Sequence, residues 1–246
     1  VNTMKLGVNI DHIAVLREAR GVNDPDIIES LGILRRGGAD QVTIHLREDR
    51  RHIRDHDAKN VILLSHLPVN IECAIDTSMI TIMCELRPER VTLVPEKREE
   101  RTTEGGLDVI KCHSLITHAI QTLKNASIDV NLFIEPTLES VECSKSCGAD
   151  GVEFHTGLYA NYYAHAYEGI HRTPYGISSF PSPKECEKLC RDELQLIRTS
   201  ANRAKELGLM VAAGHGLNYA NVQAICEIEA IEELNIGQSI IARSVF

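Results

Sequence analysis

Hydrophobic positions along this chain fall into short runs that alternate with longer stretches of helical periodicity. Runs such as VTIHL, VTLVP and VNLFIE are almost continuously apolar, which is typical of strands covered on both faces rather than strands with one face in solvent. The pattern predicts eight strands, at residues 5–11, 41–46, 69–73, 90–95, 129–135, 151–156, 210–214 and 233–237.

Helix signals lie between these strands. Asp76-Thr77-Ser78 precedes the run MITIMCEL as a helix start, and Arg87-Pro88 follows it as a stop. Apolar residues recur with a period near 3.6 over residues 107–126. Ser182-Pro183 opens another long periodic stretch. These signals predict helical connections between the strands.

Strands and helices alternate without a break in composition, which predicts one α/β domain over residues 1–246 with a parallel sheet. A (β/α)8 TIM barrel is favoured over an open doubly wound sheet, because no GxGxxG follows the first strand and no Walker sequence occurs. Residues 158–181 are expected to be an insertion after strand six, as a flap or an assembly contact. The sequence stops at Phe246, so either the barrel closes without a full eighth helix or the sequence is cut short.

Composition narrows the class of protein. A net charge of −9, no Trp and only 4% aromatic residues argue against nucleic acid or an anionic membrane as a partner. Eight cysteines without a leader or a CxxC motif suggest a reducing compartment, so a cytoplasmic protein is expected. Cys143/Cys147 and Cys186/Cys190 each share a helix face, but zinc would need two more ligands for either pair. Small apolar packing is therefore the favoured interpretation of these cysteines.

Polar residues crowd the predicted ends of the strands, where the reactive groups of a parallel barrel lie. Side chains two positions apart on a strand point the same way, so these groups should converge on one ligand. The residues are Asn9, Asp11, His12, His45, Arg47, Glu48, Glu72, Glu153, His155, His215 and Asn235.

Glu72 is the most informative of them. It lies in the apolar run VNIECAI, and burying a carboxylate without a function costs several kcal/mol. Burial should raise its pKa, which suits a general base. A single strand histidine, by contrast, is more often a hydrogen-bonded group of the core.

Two other clusters have the composition of phosphate sites. Arg47, Arg50, Arg51 and His52 follow strand two, and the run TTEGG at 102–106 follows strand four. The motifs GHG after strand seven and NIG after strand eight lie where barrels commonly bind phosphate. The segments after strands two and four form one cluster, and those after strands seven and eight form the other. Two such clusters imply a bisphosphate or two phosphorylated substrates, unless the arginines belong to a solvated charged loop.

Together these motifs resemble the pyridoxine 5′-phosphate synthase family, the ring-closing enzymes of one vitamin B6 pathway. The segments that carry the resemblance are GVNIDHIAVLREARG, TIHLREDRRHI, NIEC, LVPEKREERTTEGGLDV, EFHTG, AAGHGLNYANV and ELNIGQSIIARSVF, which cover almost the whole chain. The resemblance implies condensation of 1-deoxy-D-xylulose 5-phosphate with 3-amino-2-oxopropyl phosphate. It also implies a cytoplasmic octamer that uses no metal and no organic cofactor.

The same resemblance implies a role for each matching residue. His45 and Glu72 would accept protons, His215 would donate one, and Glu153 would stabilise a transition state. The residues expected to hold the aminoacetone phosphate are Asn9, Arg20, Gly216, Gly237 and Gln238. Those expected to hold the deoxyxylulose phosphate are Asp11, His12, Arg47, His52 and Thr102.

Two positions depart from the family pattern. Gln238 stands where the family usually has His, so a backbone contact to phosphate would survive but a side-chain charge would not. Residues 158–181 also exceed the usual loop, which puts nearby assembly contacts in doubt.

Three rival functions remain to be weighed. A Schiff-base aldolase needs a lysine at a strand end, but Lys5 lies at the wrong end and Lys97 lies in a charged loop. A metal-dependent hydrolase would have an HxH pair on strand one, where this chain has Asn-Ile-Asp-His. A binding scaffold would not need three proton carriers.

Overall fold

Eight parallel strands close into a barrel in chain order, with β8 paired to β1. The computed structural model describes residues 3–96 and 105–246. The strands are β1 Lys5–Asn9, β2 Gln41–His45, β3 Val69–Cys73, β4 Arg90–Leu93, β5 Asp129–Ile134, β6 Gly151–His155, β7 Met210–Gly214 and β8 Glu233–Ile236. The predicted α/β barrel is confirmed.

The strands are covered on both faces, as their apolar runs predict. Every residue of β2 and of β6 is buried. Outward-facing side chains such as Ile44, Ile71 and Phe154 join the core between the barrel and its helices. The lumen contains polar groups instead, among them Thr43 and Asn235. The barrel thus separates an apolar outer layer from a polar interior.

Six of the predicted strands extend one or two residues too far at their C-terminal ends. Leu46, Val94 and Thr156 still donate hydrogen bonds to carbonyls of the neighbouring strand, at 2.8–3.1 Å. The chain turns away from the sheet directly afterwards. These residues therefore have the composition of a strand, but they form only part of the hydrogen bonds that a strand residue makes with its neighbours. This is the rim where the polar residues gather.

Ten helices connect or flank the strands among the described residues. They are α1 Asp11–Arg20, α2 Ile27–Gly37, α3 Asp55–Leu64, α4 Thr77–Leu86, α5 His113–Asn125, α6 Leu138–Ser146, α7 Gly157–Tyr163, α8 Pro183–Glu206, α9 Val222–Cys226 and α10 Gln238–Arg243. No helix among them is both long and apolar enough to cross a membrane.

Two helix starts follow their sequence signals, and a third does not. Asp76 accepts hydrogen bonds from the backbone of Ser78 at the start of α4, and Ser182 forms a capping box with Glu185 at the start of α8. Helix α5 begins at His113 rather than at residue 107. The backbone N–H of Leu107 is bonded to the carbonyl of Phe133, which draws this segment across the barrel rim before the helix begins.

Residues 158–181 are largely helical. Helix α7 continues into a π-turn over Ala164–Glu168 and a 3₁₀ turn over Ile170–Arg172. The buried ring of His165 accepts a hydrogen bond from the backbone of Ile177 at 3.0 Å and lies 4.8 Å from the ring of Phe180. This segment folds back on itself as a small aromatic cluster beside α8.

Candidate active site

A cavity of about 390 Å³ opens at the C-terminal ends of the strands. Of the fourteen residues to which the resemblance assigns a role, twelve line it: Asn9, Asp11, His12, His45, Arg47, His52, Glu72, Glu153, His215, Gly216, Gly237 and Gln238. Asn235, predicted from its strand-end position, lines it as well. Arg20 does not, because it is exposed in the last turn of α1. Thr102 lies outside the described residues.

The end of β1 is fixed by a hydrogen-bonded turn. The backbone N–H of Asp11 donates to Asn9 Oδ1 at 2.9 Å, and Asn9 Nδ2 donates to Asp11 Oδ2 at 3.0 Å. The other Asp11 oxygen accepts from the backbone N–H of His45 at 2.8 Å. One carboxylate therefore ties the end of β1 to the C-terminal end of β2.

His45 lies between two carboxylates. Its Nδ1 is 3.7 Å from Glu72 Oε2, and its Nε2 is 3.5 Å from Glu96 Oε2. Strand register causes the first contact, because His45 and Glu72 are paired residues of β2 and β3. Both ring nitrogens thus face groups that can accept or return a proton.

Glu72 is the acid–base candidate that burial affects most. Desolvation raises its pKa well above the usual value, and the negative charges of Glu153 and Asp11 raise it further. The side chain still faces the cavity. A carboxyl group with a raised pKa holds its proton more tightly than a surface glutamate does, and at the cavity wall it can exchange that proton with a ligand.

Glu153 lies deeper in the lumen. Burial and the nearby Glu233 raise its pKa to about 8, while a hydrogen bond from Asn235 lowers it. Asn235 Nδ2 donates that bond at 2.8 Å. Below Glu153, Arg90 donates to Glu233 at 2.8 Å. The neutral form of Glu153 is thus favoured around pH 7.

His215 adopts a left-handed backbone conformation with φ of 80°, between the glycines of the GHG motif. Thr156 Oγ1 donates to the His215 carbonyl at 2.6 Å and to the Gly214 carbonyl at 2.7 Å, which holds the turn. Burial, followed by the nearby His155, lowers the pKa of His215 to about 4. The imidazole is therefore neutral at pH 7 in the free protein.

The groups suited to phosphate lie along the same wall. Burial lowers the pKa values of His12 and His52, although the Asp11 charge opposes this. Arg47 is buried and lies 3.7 Å from Glu96 Oε1. At Gly237, a Cβ atom would lie 2.8 Å from the Asn9 carbonyl oxygen. The absence of a side chain therefore allows the backbone at residue 237 to lie close to Asn9.

The sequence interpretation did not single out Glu96, Glu135 or Phe133. Glu96 accepts a hydrogen bond from the backbone of Glu48 at 2.9 Å besides facing His45. Its burial acts to raise its pKa, but His45 and Arg47 outweigh this and hold the pKa below the usual value. Glu135 ends one predicted strand and Glu96 directly follows another. The expectation that reactive groups lie at strand ends could therefore have identified both glutamates from the sequence.

Comparison with known proteins agrees with this geometry. Residues 6–246 match the family model described as "Pyridoxal phosphate biosynthesis protein PdxJ". The chain belongs to the PdxJ family. The resemblance inferred from the sequence motifs is thereby confirmed.

PdxJ relatives match the chain over nearly its whole length. Proteins of a Sulfurovum species and a Nitratiruptor species are each 58% identical over 244 residues, or 99% of this chain. The match covers 95% and 92% of those two proteins, and both are named pyridoxine 5′-phosphate synthase.

A solved structure outside the PdxJ family shares the fold. The HpcH/HpaI aldolase from Desulfitobacterium hafniense DCB-2 superposes with a TM-score of 0.55 at 14% identity, covering 99% of this chain and 90% of the aldolase. Identity this low supports the barrel fold and no shared activity.

Proposed function

We propose that this PdxJ protein is a pyridoxine 5′-phosphate synthase. It condenses 1-deoxy-D-xylulose 5-phosphate with 3-amino-2-oxopropyl phosphate to give pyridoxine 5′-phosphate, inorganic phosphate and water. One observation carries the proposal. A single cavity at the strand ends combines His45, Glu72, Glu153 and His215 with groups suited to bind phosphate.

The chemistry requires several proton transfers, since Schiff-base formation, enolisation and dehydration each move a proton. Glu72 and His45 serve as proton acceptors. Their 3.7 Å separation allows a proton taken by one to be shared with the other after a small movement. Glu153, neutral around pH 7, stabilises developing negative charge as a hydrogen-bond donor.

His215 serves as the proton donor. Its imidazole is neutral in the free protein because its pKa is lowered to about 4. A phosphate dianion in the cavity favours the charged imidazolium and so raises its pKa. Substrate binding thereby lets His215 take up from solution the proton that it later donates.

Two anion sites match two phosphorylated substrates. Asn9, Gly216, Gly237 and Gln238 lie on the cavity wall to hold the aminoacetone phosphate, and Arg20 would need to move to join them. Asp11, His12, Arg47 and His52 lie there to hold the deoxyxylulose phosphate, together with Thr102 beyond the described residues. A neutral imidazole has one nitrogen that donates a hydrogen bond and one that accepts. His12 and His52 can therefore donate an N–H group to the phosphate, or accept a hydrogen bond from a protonated phosphate oxygen, and Arg47 does not repel them.

The remaining parts of the proposal are supported by membership of the PdxJ family and not by contacts within this chain. They comprise transferase-class chemistry, a reaction that uses no metal or organic cofactor, a cytoplasmic location, small phosphorylated molecules as the partners, and a homo-octamer. No nucleic-acid or membrane partner is proposed, which agrees with the net charge of −9.

Incubation of the purified chain with both phosphorylated substrates tests the proposal. Fluorescence of the pyridinol product and free phosphate should rise together. Omission of either substrate should abolish both signals. Absence of product from folded protein at any pH between about 6 and 9, a range that brackets the pKa of about 8 for Glu153, would refute the function.

A further inference from the structure

Glu135 and His155 form a hydrogen-bonded pair beside His215 that the assigned site residues do not include. His155 Nδ1 lies 3.0 Å from Glu135 Oε1. Because a carboxylate only accepts hydrogen bonds, the proton of the pair lies on Nδ1 of the imidazole. The His155 ring in turn lies 4.9 Å from the His215 ring, tilted by 55°.

The backbone holds this pair in place. The N–H of Gly106 donates to Glu135 Oε1 at 2.7 Å. A Cβ atom at Gly106 would lie 2.3 Å from the Glu135 backbone nitrogen, so only glycine permits this approach. Phe133 packs edge to face against the His155 ring, with the two ring centroids 5.3 Å apart. The carboxylate is therefore fixed before any ligand binds.

Gly157 lets the two imidazoles approach each other. A Cβ atom there would lie 2.6 Å from His155 Nε2 and 3.0 Å from His215 Cδ2. The glycine at the start of α7 thus leaves space that the two rings fill together. The orientation of His215 depends on that of His155.

We propose that Glu135 and His155 are positioning residues for His215, the proton donor of the proposed synthase reaction. Glu135 fixes the tautomer and orientation of His155, and His155 fixes the ring of His215. This inference rests on the proposed function for the role of His215, and on the geometry alone for the coupling of the three side chains.

The charges around His215 set the direction of the effect. His155 and His12 lower its pKa, and Glu135 raises it. Glu193 of α8 interacts electrostatically with both Glu135 and His155. Removal of the Glu135 charge should make protonation of His215 harder.

Glu135→Gln tests the proposal because it keeps the shape and removes the charge. An NMR titration of the substrate-free protein should show a lower pKa for the His215 imidazole than in the wild type. In the synthase assay, kcat should fall by roughly 10-fold or more while both KM values change little. Glu135→Asp keeps the negative charge, so it should restore part of the wild-type His215 pKa and part of the wild-type kcat.

Glu142→Gln is the matched control, since it removes an exposed carboxylate from α6, where Glu142 pairs with Arg203. It should leave the His215 titration and kcat unchanged. An unaltered His215 titration in Glu135→Gln, or an equal effect in Glu142→Gln, would overturn the inference. The titration needs no turnover, so its result is independent of whether the proposed function fails.

A separate cluster of metal-type ligands lies on the outer layer of the barrel. A ring nitrogen of His113 and the sulfur atoms of Cys143 and Cys147 all lie within 4.8 Å of one another. They occupy the start of α5 and the end of α6. The sequence shows the cysteine pair, but only the packing of these two helices brings the histidine to it.

The surroundings of the cluster suit a bound ion. Ser146 Oγ lies 3.0 Å from His113 Nε2 and restrains the ring. The thiol of Cys143 donates a hydrogen bond to the Val109 carbonyl at 3.2 Å, and a bound ion would displace this thiol proton. His113 and Cys143 are half-buried, which leaves a path for entry, whereas Cys147 is buried. Two thiolates and an imidazole are preferred ligands of Zn²⁺.

We propose that His113, Cys143 and Cys147 bind one Zn²⁺ ion, with water as the fourth ligand. The ion would join the start of α5 to the end of α6. The other i, i+4 pair, Cys186 and Cys190 on α8, provides an internal comparison, since no histidine or carboxylate joins it in a ligand cluster within the described parts of the chain.

Titration of the reduced full chain with Zn²⁺ against a chromophoric chelator should give one ion per chain. Co²⁺ should give the absorption of tetrahedral thiolate coordination. His113→Ala and Cys143→Ser should each weaken binding by roughly 100-fold or more, and Cys186→Ser should not. Absence of stoichiometric binding, or equal weakening by Cys186→Ser, would overturn the proposal. His113→Ala removes a half-buried ring, so it tests the site even where a cysteine variant folds poorly.

Discussion

At the scale of single residues, Glu72 shows how position creates reactivity. Burial together with Glu153 and Asp11 keeps its pKa far above that of a free glutamate. The same carboxyl on the surface would be fully ionised at pH 7 and a poor proton carrier. Three elements contribute to this one property, because Glu72 lies on β3, Glu153 on β6 and Asp11 at the start of α1.

Glu72→Gln should abolish turnover and leave phosphate affinity nearly unchanged. Glutamine keeps the shape but cannot take up a proton, so kcat should fall by about 100-fold or more. Steady-state kinetics and binding of inorganic phosphate by calorimetry check the two halves separately. Turnover at the wild-type rate would remove Glu72 as the base.

The residue scale also shows how far the sequence alone could go. Glu72 and Glu153 could be predicted because each is a carboxylate in an apolar strand. The pairing of His155 with Glu135 could not, because His155 ends β6 whereas Glu135 follows β5, and only the packing of these neighbouring strands sets their 3.0 Å contact. Arg20, assigned by resemblance, remains outside the cavity wall in this structure.

At the scale of elements, α1 and α3 are joined by a buried ion pair behind the active site. Arg17 donates to both oxygens of Asp57, at 2.8 and 2.7 Å, and both side chains are buried. Arg17 also donates to the backbone carbonyl of His52 at 2.9 Å. The pair therefore fixes the segment that carries His52.

Asp57→Ala should lower the free energy of unfolding by about 3 kcal/mol, because it removes the bidentate partner of the buried Arg17 charge and leaves Glu18, at 3.1 Å, as its carboxylate partner. Urea denaturation measures the change. The double variant Arg17→Met/Asp57→Leu should recover most of the loss, since it removes both charges. A loss below about 1 kcal/mol in the single variant would contradict a buried pair and suit an exposed one.

Element boundaries were predicted well where local signals decide them. The start of α8 follows from Ser182 and Glu185, which lie three residues apart in the sequence. The start of α5 was wrong, because a long-range bond from Leu107 to Phe133 overrides a periodic apolar pattern. Long-range hydrogen bonds of this kind leave no trace in a local pattern.

At the scale of the whole molecule, the barrel encloses a buried polar network in its lumen. Glu233 accepts hydrogen bonds from Arg90 at 2.8 Å and from Gln41 at 3.2 Å, and Asn235 connects it to Glu153. The barrel itself could be predicted from the sequence, since eight apolar runs with helical connections leave few other folds. The network could not, because its members come from four strands.

Stability should therefore fall as the pH rises from about 5 to about 8. Glu153 has its pKa raised from 4.5 to about 8, so in this range the folded protein holds a proton that the unfolded chain releases. One such group contributes at most about 1.4 kcal/mol per pH unit. Glu153→Gln should flatten the dependence measured by urea denaturation at several pH values. Glu72 acts in the same direction, so part of the slope should remain, and an unchanged slope would contradict the shift.

The crowded cavity also makes ligand binding a proton-consuming event. His12, His52 and His215 have lowered pKa values, and each gains affinity for protons when a phosphate dianion lies nearby. The protons must come from the buffer. Calorimetric titration near pH 7 should thus give more endothermic heats of phosphate binding in a buffer with a large ionisation enthalpy than in one with a small enthalpy. Equal heats in the two buffers would mean that no proton accompanies the ligand. With proton uptake, the protein draws its first proton from solution before any bond of the substrates has changed.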